Sequence, residues 1–502
     1  MKKTIILTLL LGFSQIGCKE EFLNIVPETN LSSATFFTKE ADFLQAVNAA
    51  YVPLRAIVND RAWLLGEMHS DNAYYYRNIL FGATEQQEDI ADFAVPTANG
   101  VTSNTHVLNQ YRLDFQIIAR ANQILSSIDA VDFPAASKNN LKGQAQFLRA
   151  YAYFELVQYF GKVPLHLTPV TNRQEAALPL APVEEVYAQI IKDLTASITG
   201  LLPKSTQEAG RVTSGTARML LASVHMVRKN WTEAEKLLKE IVTSNDYKLM
   251  PDFNDAFSTN TGNKNNSESI FEVQFQEGAS GYNGSIMYNY MPRPMSGDEL
   301  KPISGTSNPQ PLTGEGNGAP TPDLIKAFEA GDKRKDGTIA YVTISGSLRA
   351  NKTFPYNKKF AKTHSLHGNT GNNFPIYRYA ETLLFLAEAL TEQGKIGEAL
   401  PYLNQVRSRA GLPAATATAQ ADFRKQVYQD RRSELAFENK RWFDLVRTGT
   451  AIEVITAYGN RIKANPVEYY YPEGATTRGN AFSTITLLYG LPADEAALSP
   501  YF

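Results

Sequence analysis

Cysteine is almost missing from this chain: Cys18 is the single one in 502 residues. One thiol cannot form an internal disulfide, so stability has to come from packing. Histidine is scarce as well, at six. His364 and His367 stand three apart in a Gly/Asn-rich loop, where nothing holds them on one helical face, and they read as solvated and not as metal ligands. No stretch approaches the ~18 apolar residues of a membrane-spanning helix. The formal net charge of -2 lacks the strong basic excess of a polyanion reader. Catalytic motifs are missing too. There is neither a phosphate-binding Gly-Lys-Ser/Thr loop nor a Gly-x-Ser-x-Gly elbow. The glycine-rich Gly314-Glu315-Gly316-Asn317-Gly318 lacks dinucleotide spacing and reads as a flexible loop. No cofactor is expected.

What is present describes an exported, folded protein. Hydrophobic residues at 43% and charged residues at 20% fit a globular chain. Lys2 and Lys3 precede an apolar stretch over residues 5–11, and Gly17 stands just before Cys18. Residues 1–17 therefore read as a signal peptide. Gln15-Ile16-Gly17-Cys18 resembles a lipobox, which implies that Cys18 is acylated, with chains such as palmitate, and becomes the new N-terminus. The Lys19-Glu20-Glu21 that follows fits either a surface-export signal or a plain solvated tether.

Periodicity makes the chain mainly helical. Residues 18–259 form an N-terminal helical region, and residues 260–502 a C-terminal region of loops, helices within 376–446 and an irregular tail. Leu113, Ile117, Ile118, Ala121, Ile124, Leu125 and Ile128 recur at helical spacing. The stretch 141–160 is apolar on more than one face, as a helix buried between neighbours would be. Leu221-Ala222 followed by Trp231, Ala234, Leu238 and Ile241 matches in spacing Leu386-Ala387 followed by Ile396, Ala399, Leu403 and Val406. Small residues at fixed places let two antiparallel helices approach, the logic of tetratricopeptide pairs; coincidence between two amphipathic hairpins is the alternative. Between about 260 and 373, Asn, Gly, Ser and Pro mark long loops, which tend to carry function. Ser269 to Phe275 alternates apolar and polar residues, as a strand does.

Two aromatic clusters are the candidate ligand site. The first is Asp71, Asn72, Tyr74, Tyr75, Tyr76 and Arg77, whose three consecutive tyrosines cannot all face one core. The second holds Tyr282, Tyr288, Tyr290 and Arg293. Aromatic faces pack on sugar rings or peptide side chains, and Asp, Asn and Arg hydrogen-bond hydroxyls or carboxylates. Glu434 and Glu438, one helical turn apart, are the carboxylates to weigh for glycoside hydrolysis. Arg431 and Arg441 lie three residues to either side, a spacing that suits ion pairing. Such pairing keeps a carboxylate ionised when a general acid must stay protonated.

Several segments together resemble the SusD/RagB family of outer-membrane nutrient-binding lipoproteins. They are Phe22-Leu23-Asn24-Ile25-Val26-Pro27 with Ala34-Thr35-Phe36-Phe37; Gly143-Gln144-Ala145-Gln146-Phe147-Leu148-Arg149-Ala150-Tyr151, running on to Phe160-Gly161-Lys162-Val163-Pro164; Tyr377-Arg378-Tyr379-Ala380-Glu381; Asn404-Gln405-Val406-Arg407; and Glu434-Leu435-Ala436-Phe437-Glu438 with Arg441-Trp442-Phe443-Asp444-Leu445. The resemblance implies four tetratricopeptide-like helix pairs forming an α-α superhelix with a loop-rich ligand face. It also implies a lipid anchor, a TonB-dependent SusC-like transporter as partner, and capture of an oligosaccharide or a peptide without catalysis. It does not transfer an individual ligand or its contacts.

Overall fold

In a computed structural model the described residues are 36–77, 85–259, 263–314, 316–346 and 351–501. The expected signal peptide and Cys18 lie outside them. Helices dominate. Helix α1 (Glu40–Ala56) buries Phe43, Val47, Ala50 and Leu54, one helical stripe. It runs on into two π-helical turns, Ile57–Arg61 and Trp63–Met68, and then strand β1 (Ala73–Tyr76). Helices α2 (Thr105–Ser127), α3 (Ala135–Phe160), α4 (Val183–Gly200), α5 (Ser214–Val227) and α6 (Trp231–Thr243) follow, each packed on the one before it. As its apolar surround predicts, α3 is buried on nearly every side from Phe147 onward.

Strand β2 (Ser269–Val273) begins the loop-rich part, which also carries β3 (Gly316–Pro320), β4 (Ile339–Thr343), β5 (Thr353–Asn357) and β6 (Phe374–Arg378). Pairing is antiparallel and two-stranded throughout this part: β1 with β3, β2 with β6, β4 with β5. Helices then resume as α7 (Tyr379–Glu392), α8 (Ile396–Arg409), α9 (Gln420–Leu435), α10 (Arg441–Arg447) and α11 (Ala451–Ala464).

The matched segments are the helix pairs α5/α6 and α7/α8. Ala222, Ala234, Ala387 and Ala399 are fully buried at the crossings, and α6 packs on α7, so the array continues across the loop-rich insertion. Four expectations change. The glycine-rich segment expected as a flexible loop enters strand β3 at Gly316, paired with β1. Residues 376–378 are strand and not the start of a helix. The tail is not irregular throughout, since α11 buries Ala451, Ile455, Tyr458 and Ile462. Strand β2 is buried on both faces, Glu272 included, because helices cover one side and loops the other. Among the described residues no helix is long and apolar enough to cross a membrane.

Two hydrophobic clusters result. The larger fills the helical array. The smaller lies within the loop-rich part and includes Tyr76, Met287, Met291, Leu300, Ile344 and Phe354. The loops are fixed to the helices by buried charge. Arg378 donates to Glu268, to Glu434 (2.9 Å) and to both oxygens of Glu438 (2.6 and 2.8 Å). Arg409 reaches Glu268 (2.6 Å) and Glu434 (2.5 Å). Lys359 reaches Glu438 at 2.8 Å and the Ala436 carbonyl at 2.7 Å. A buried carboxylate also docks the turn at Trp63–Met68: Glu67 accepts from the backbone N–H groups of Phe437 (2.8 Å) and Asn439 (3.1 Å). A Cβ at Gly66 would lie 1.5 Å from the Asn439 side-chain oxygen, so a side chain there would have to displace that amide.

Glu434→Gln leaves Arg378 and Arg409 with an unmatched buried charge, and urea denaturation should show a loss of about 3–5 kcal/mol. Burial in α3 raises the Glu155 carboxyl from 4.5 to about 7, against a smaller opposing pull from Lys440. An acid raised on folding holds its proton more tightly in the native state, so its contribution is full below about 4.5 and is lost as pH rises to about 7. Thermal melting of Glu155→Gln over that window should show a shallower decline, with Glu67 and Asp114, raised in the same direction by burial, keeping the rest.

Candidate functional site

The first aromatic cluster does not form a ligand face. Tyr74, Tyr75 and Tyr76 are fully buried, and Asp71, Asn72 and Arg77 are buried with them. The three tyrosines indeed do not share one core: Tyr74 and Tyr75 enter the larger cluster, and Tyr76 the smaller one. Strand β1 thus joins the two, its edge satisfied by β3. Asp71 pairs with Arg441 (2.7 Å) and Arg432 (2.9 Å). Burial alone would raise its carboxyl, but the two guanidinium groups hold it well below the usual carboxylate range. Asn72 donates to Glu67 (3.0 Å) and accepts from Arg432 (2.8 Å). The Tyr74 hydroxyl donates to Asp92 and meets the Tyr471 hydroxyl at 2.8 Å. Arg77 is paired with Glu88 and Asp92 and lies over the rings of Tyr75 and Tyr471.

The second cluster divides. Tyr290 is core: its ring meets Phe360 and Phe437. Gly318, at φ 63°, is required beside it, because a Cβ would lie 2.3 Å from that ring. Tyr288 is 5% exposed and forms a wall of the loop-rich face. Its hydroxyl lies 2.6 Å from His364 Nε2, and its ring meets His367 edge-on at 4.7 Å. His364 Nδ1 is 2.9 Å from the Lys362 carbonyl and donates to it. The two histidines are therefore not a solvated pair, and His364 is buried. Burial first, then His364 and Arg293, push the His367 imidazole below its ordinary value. Arg293 donates to the Tyr288 carbonyl at 2.8 Å.

Tyr282 alone of the ten candidates points outward, 49% exposed. The Arg55 guanidinium, at the last turn of α1, lies 4.6 Å from its ring centroid. Arg55 makes no ion pair among the described residues. It also lines an adjoining cleft of about 200 Å³ with Asn48, Tyr51, Arg211, Phe271 and Gln274. An open aromatic face beside amide, hydroxyl and guanidinium groups can stack a ring and bond its substituents. The loops that hold Tyr282 are tied down by reciprocal Gly284–Thr370 backbone bonds of 2.8 Å and by Asn59, which accepts from the Ser285 N–H at 2.7 Å. Arg55 was not legible as a site residue, because a basic residue in a last helical turn is ordinary.

Neither Glu434 nor Glu438 has the character of a general acid. Their partners are Arg378, Arg409, Lys359 and Arg334, not Arg431 and Arg441. Arg431 pairs instead with Glu381 and Asp444. Against the rise that burial would cause, the surrounding cations hold both carboxyls below their ordinary value. Among the described residues no group of three or more His, Cys, Asp or Glu is placed to hold a metal ion.

Comparisons with known proteins agree with this architecture. A family profile described as SusD family matches residues 331–498, and one described as starch-binding associating with outer membrane matches residues 21–226. A SusD-like protein of Formosa agariphila is 26% identical over 90% of this chain and 91% of its own. The solved surface glycan-binding protein A from Bacteroides uniformis is 25% identical, with a TM-score of 0.71 over 92% of this chain and 99% of that one. A solved laminarin binding SusD-like protein, 24% identical, has a TM-score of 0.73 over 92% and 98%.

The division between buried and outward tyrosines can be tested. Tyr75→Ala should lower stability by about 3 kcal/mol, as loss of a buried ring does. Tyr282→Ala should leave the urea midpoint unchanged.

Proposed function

The chain belongs to the SusD/RagB family, and on that premise we propose that it is a non-catalytic surface lipoprotein that binds an oligosaccharide and passes it to a TonB-dependent, SusC-like transporter. Outer-membrane association is in keeping with the family description matched by its N-terminal half. In this reading Cys18 carries the acyl chains, and more than one is needed, since a single chain gives only marginal membrane binding. The observation that carries the ligand part is the outward Tyr282 ring beneath Arg55, beside a cleft of convergent polar groups. A pyranose offers such a site an apolar face for the ring and hydroxyls for Arg55 and Asn48. The relatives named for glycan and laminarin binding support the same ligand class.

Titration calorimetry against a panel of glycans and peptides tests this. Heat is expected with a glycan, and Tyr282→Ala should bind it about tenfold more weakly, ~1.4 kcal/mol. Peptide binding with no glycan binding would overturn the carbohydrate assignment and leave the peptide alternative. For the anchor and the partner, purification in mild detergent should bring down one large barrel protein with the chain. Cys18→Ala should leave the membrane fraction when that transporter is deleted.

A further inference from the structure

A second cleft, of about 600 Å³, lies on the helical half and shares no lining residue with the cleft lined by Arg55. Its volume falls in the usual range for small-ligand sites. One wall is a face of α2, where Tyr111, Phe115 and Ile118 are spaced to align. The Tyr111 and Phe115 rings are 4.7 Å apart, and Phe115 meets the ring of His166 from the opposite wall at 5.9 Å. At the rim, Val170 and Leu498 are 45% and 61% exposed, apolar surface left in water around an apolar opening.

The polar groups of the lining are nearly all engaged. Asn122 donates to the His166 and Thr168 carbonyls (3.0 and 3.2 Å) and accepts from Arg149 (2.9 Å). Glu495 is paired with Arg112 at 2.6 Å. Burial lowers the pKa of the His166 imidazole, which keeps it uncharged at neutral pH. Arg173 is different. It is exposed, lines the cleft, and makes no ion pair among the described residues. The acid nearest it in its own short helix, Glu175, is engaged by the N–H and hydroxyl of Thr171, both at 2.8 Å. An apolar cleft therefore opens beside one uncompensated cation.

We propose that this cleft binds a free amphiphilic organic anion, with its apolar body against Tyr111, Phe115 and Ile118 and its carboxylate or sulfonate beside Arg173. The charge at the mouth selects an anion over a neutral amphiphile, and the apolar walls exclude a bare inorganic ion.

Calorimetry on the full chain with decanoate, below its micelle concentration, and with uncharged 1-decanol tests the proposal. Decanoate should bind about tenfold more tightly than 1-decanol. Arg173→Ala should remove that preference and Arg173→Lys restore it. Ala119→Trp, which places an indole at an exposed lining position, should abolish binding of both with the melting temperature unchanged. Absence of decanoate binding, equal affinity for 1-decanol, or indifference to Ala119→Trp would each overturn the site. A Cys18→Ala chain should stay unfloated with phosphatidylglycerol vesicles; flotation that depends on Arg173 would mean a membrane contact instead. Glycan titration should be unchanged in all of these variants.

Discussion

Arg378 is 2% exposed and has three buried carboxylates around it, Glu268, Glu434 and Glu438. It stands where β6 hands over to α7, and Glu268 stands just before β2. These are the two roots of the loop-rich insertion, and the β2–β6 ladder runs between them. Glu434 lies in the last turn of α9 and Glu438 in the non-helical turn just beyond it, so one guanidinium ties the insertion to the helical array. Neighbouring ties repeat the device. Lys359 reaches Glu438 from the segment after β5, and Arg334 reaches Asp430 at 2.8 Å from beside β4. Ion pairs of this kind add little net stability over apolar packing, but breaking one strands a charge in a low dielectric. Loops held in this way occupy one position, and the outward face they present depends on it.

Strand β1 is the second bond between the parts. Tyr74 and Tyr75 belong to one cluster and Tyr76 to the other, so the rings of this aromatic run hold the two parts together. Within the second aromatic cluster the same division recurs over a few residues. Tyr290 packs inward, Tyr288 builds the wall with His364, and Tyr282 is left in water under Arg55. The two candidate clusters therefore serve mostly packing, and of their tyrosines Tyr282 leaves its ring open.

How much of this was legible in the sequence depended on the range of the interaction. Helices α2, α3, α5 to α8 and the matched pairs are written in local periodicity, which needs no partner to be seen. Helix α11 was missed because a glycine, Gly459, sits inside it and the threonine-glycine turn before it looks like an ending. Charge partners were not legible. Arg431 and Arg441 are the near neighbours of Glu434 and Glu438, yet Arg441 crosses to Asp71, 370 residues away, and Glu434 is claimed by Arg378 and Arg409. Burial of Tyr74 to Tyr76 was equally hidden, since consecutive residues on a strand alternate sides and only the fold shows that both sides are covered.

The central claim is that the open ring of Tyr282, and not the tyrosines of β1, receives the ligand. A crystal structure of the protein with a bound oligosaccharide tests it most directly. A sugar ring stacked on Tyr282, with hydroxyls within hydrogen-bond reach of Arg55, is the predicted result. A bound sugar contacting Tyr74, Tyr75 or Tyr76, with Tyr282 left bare, would contradict it.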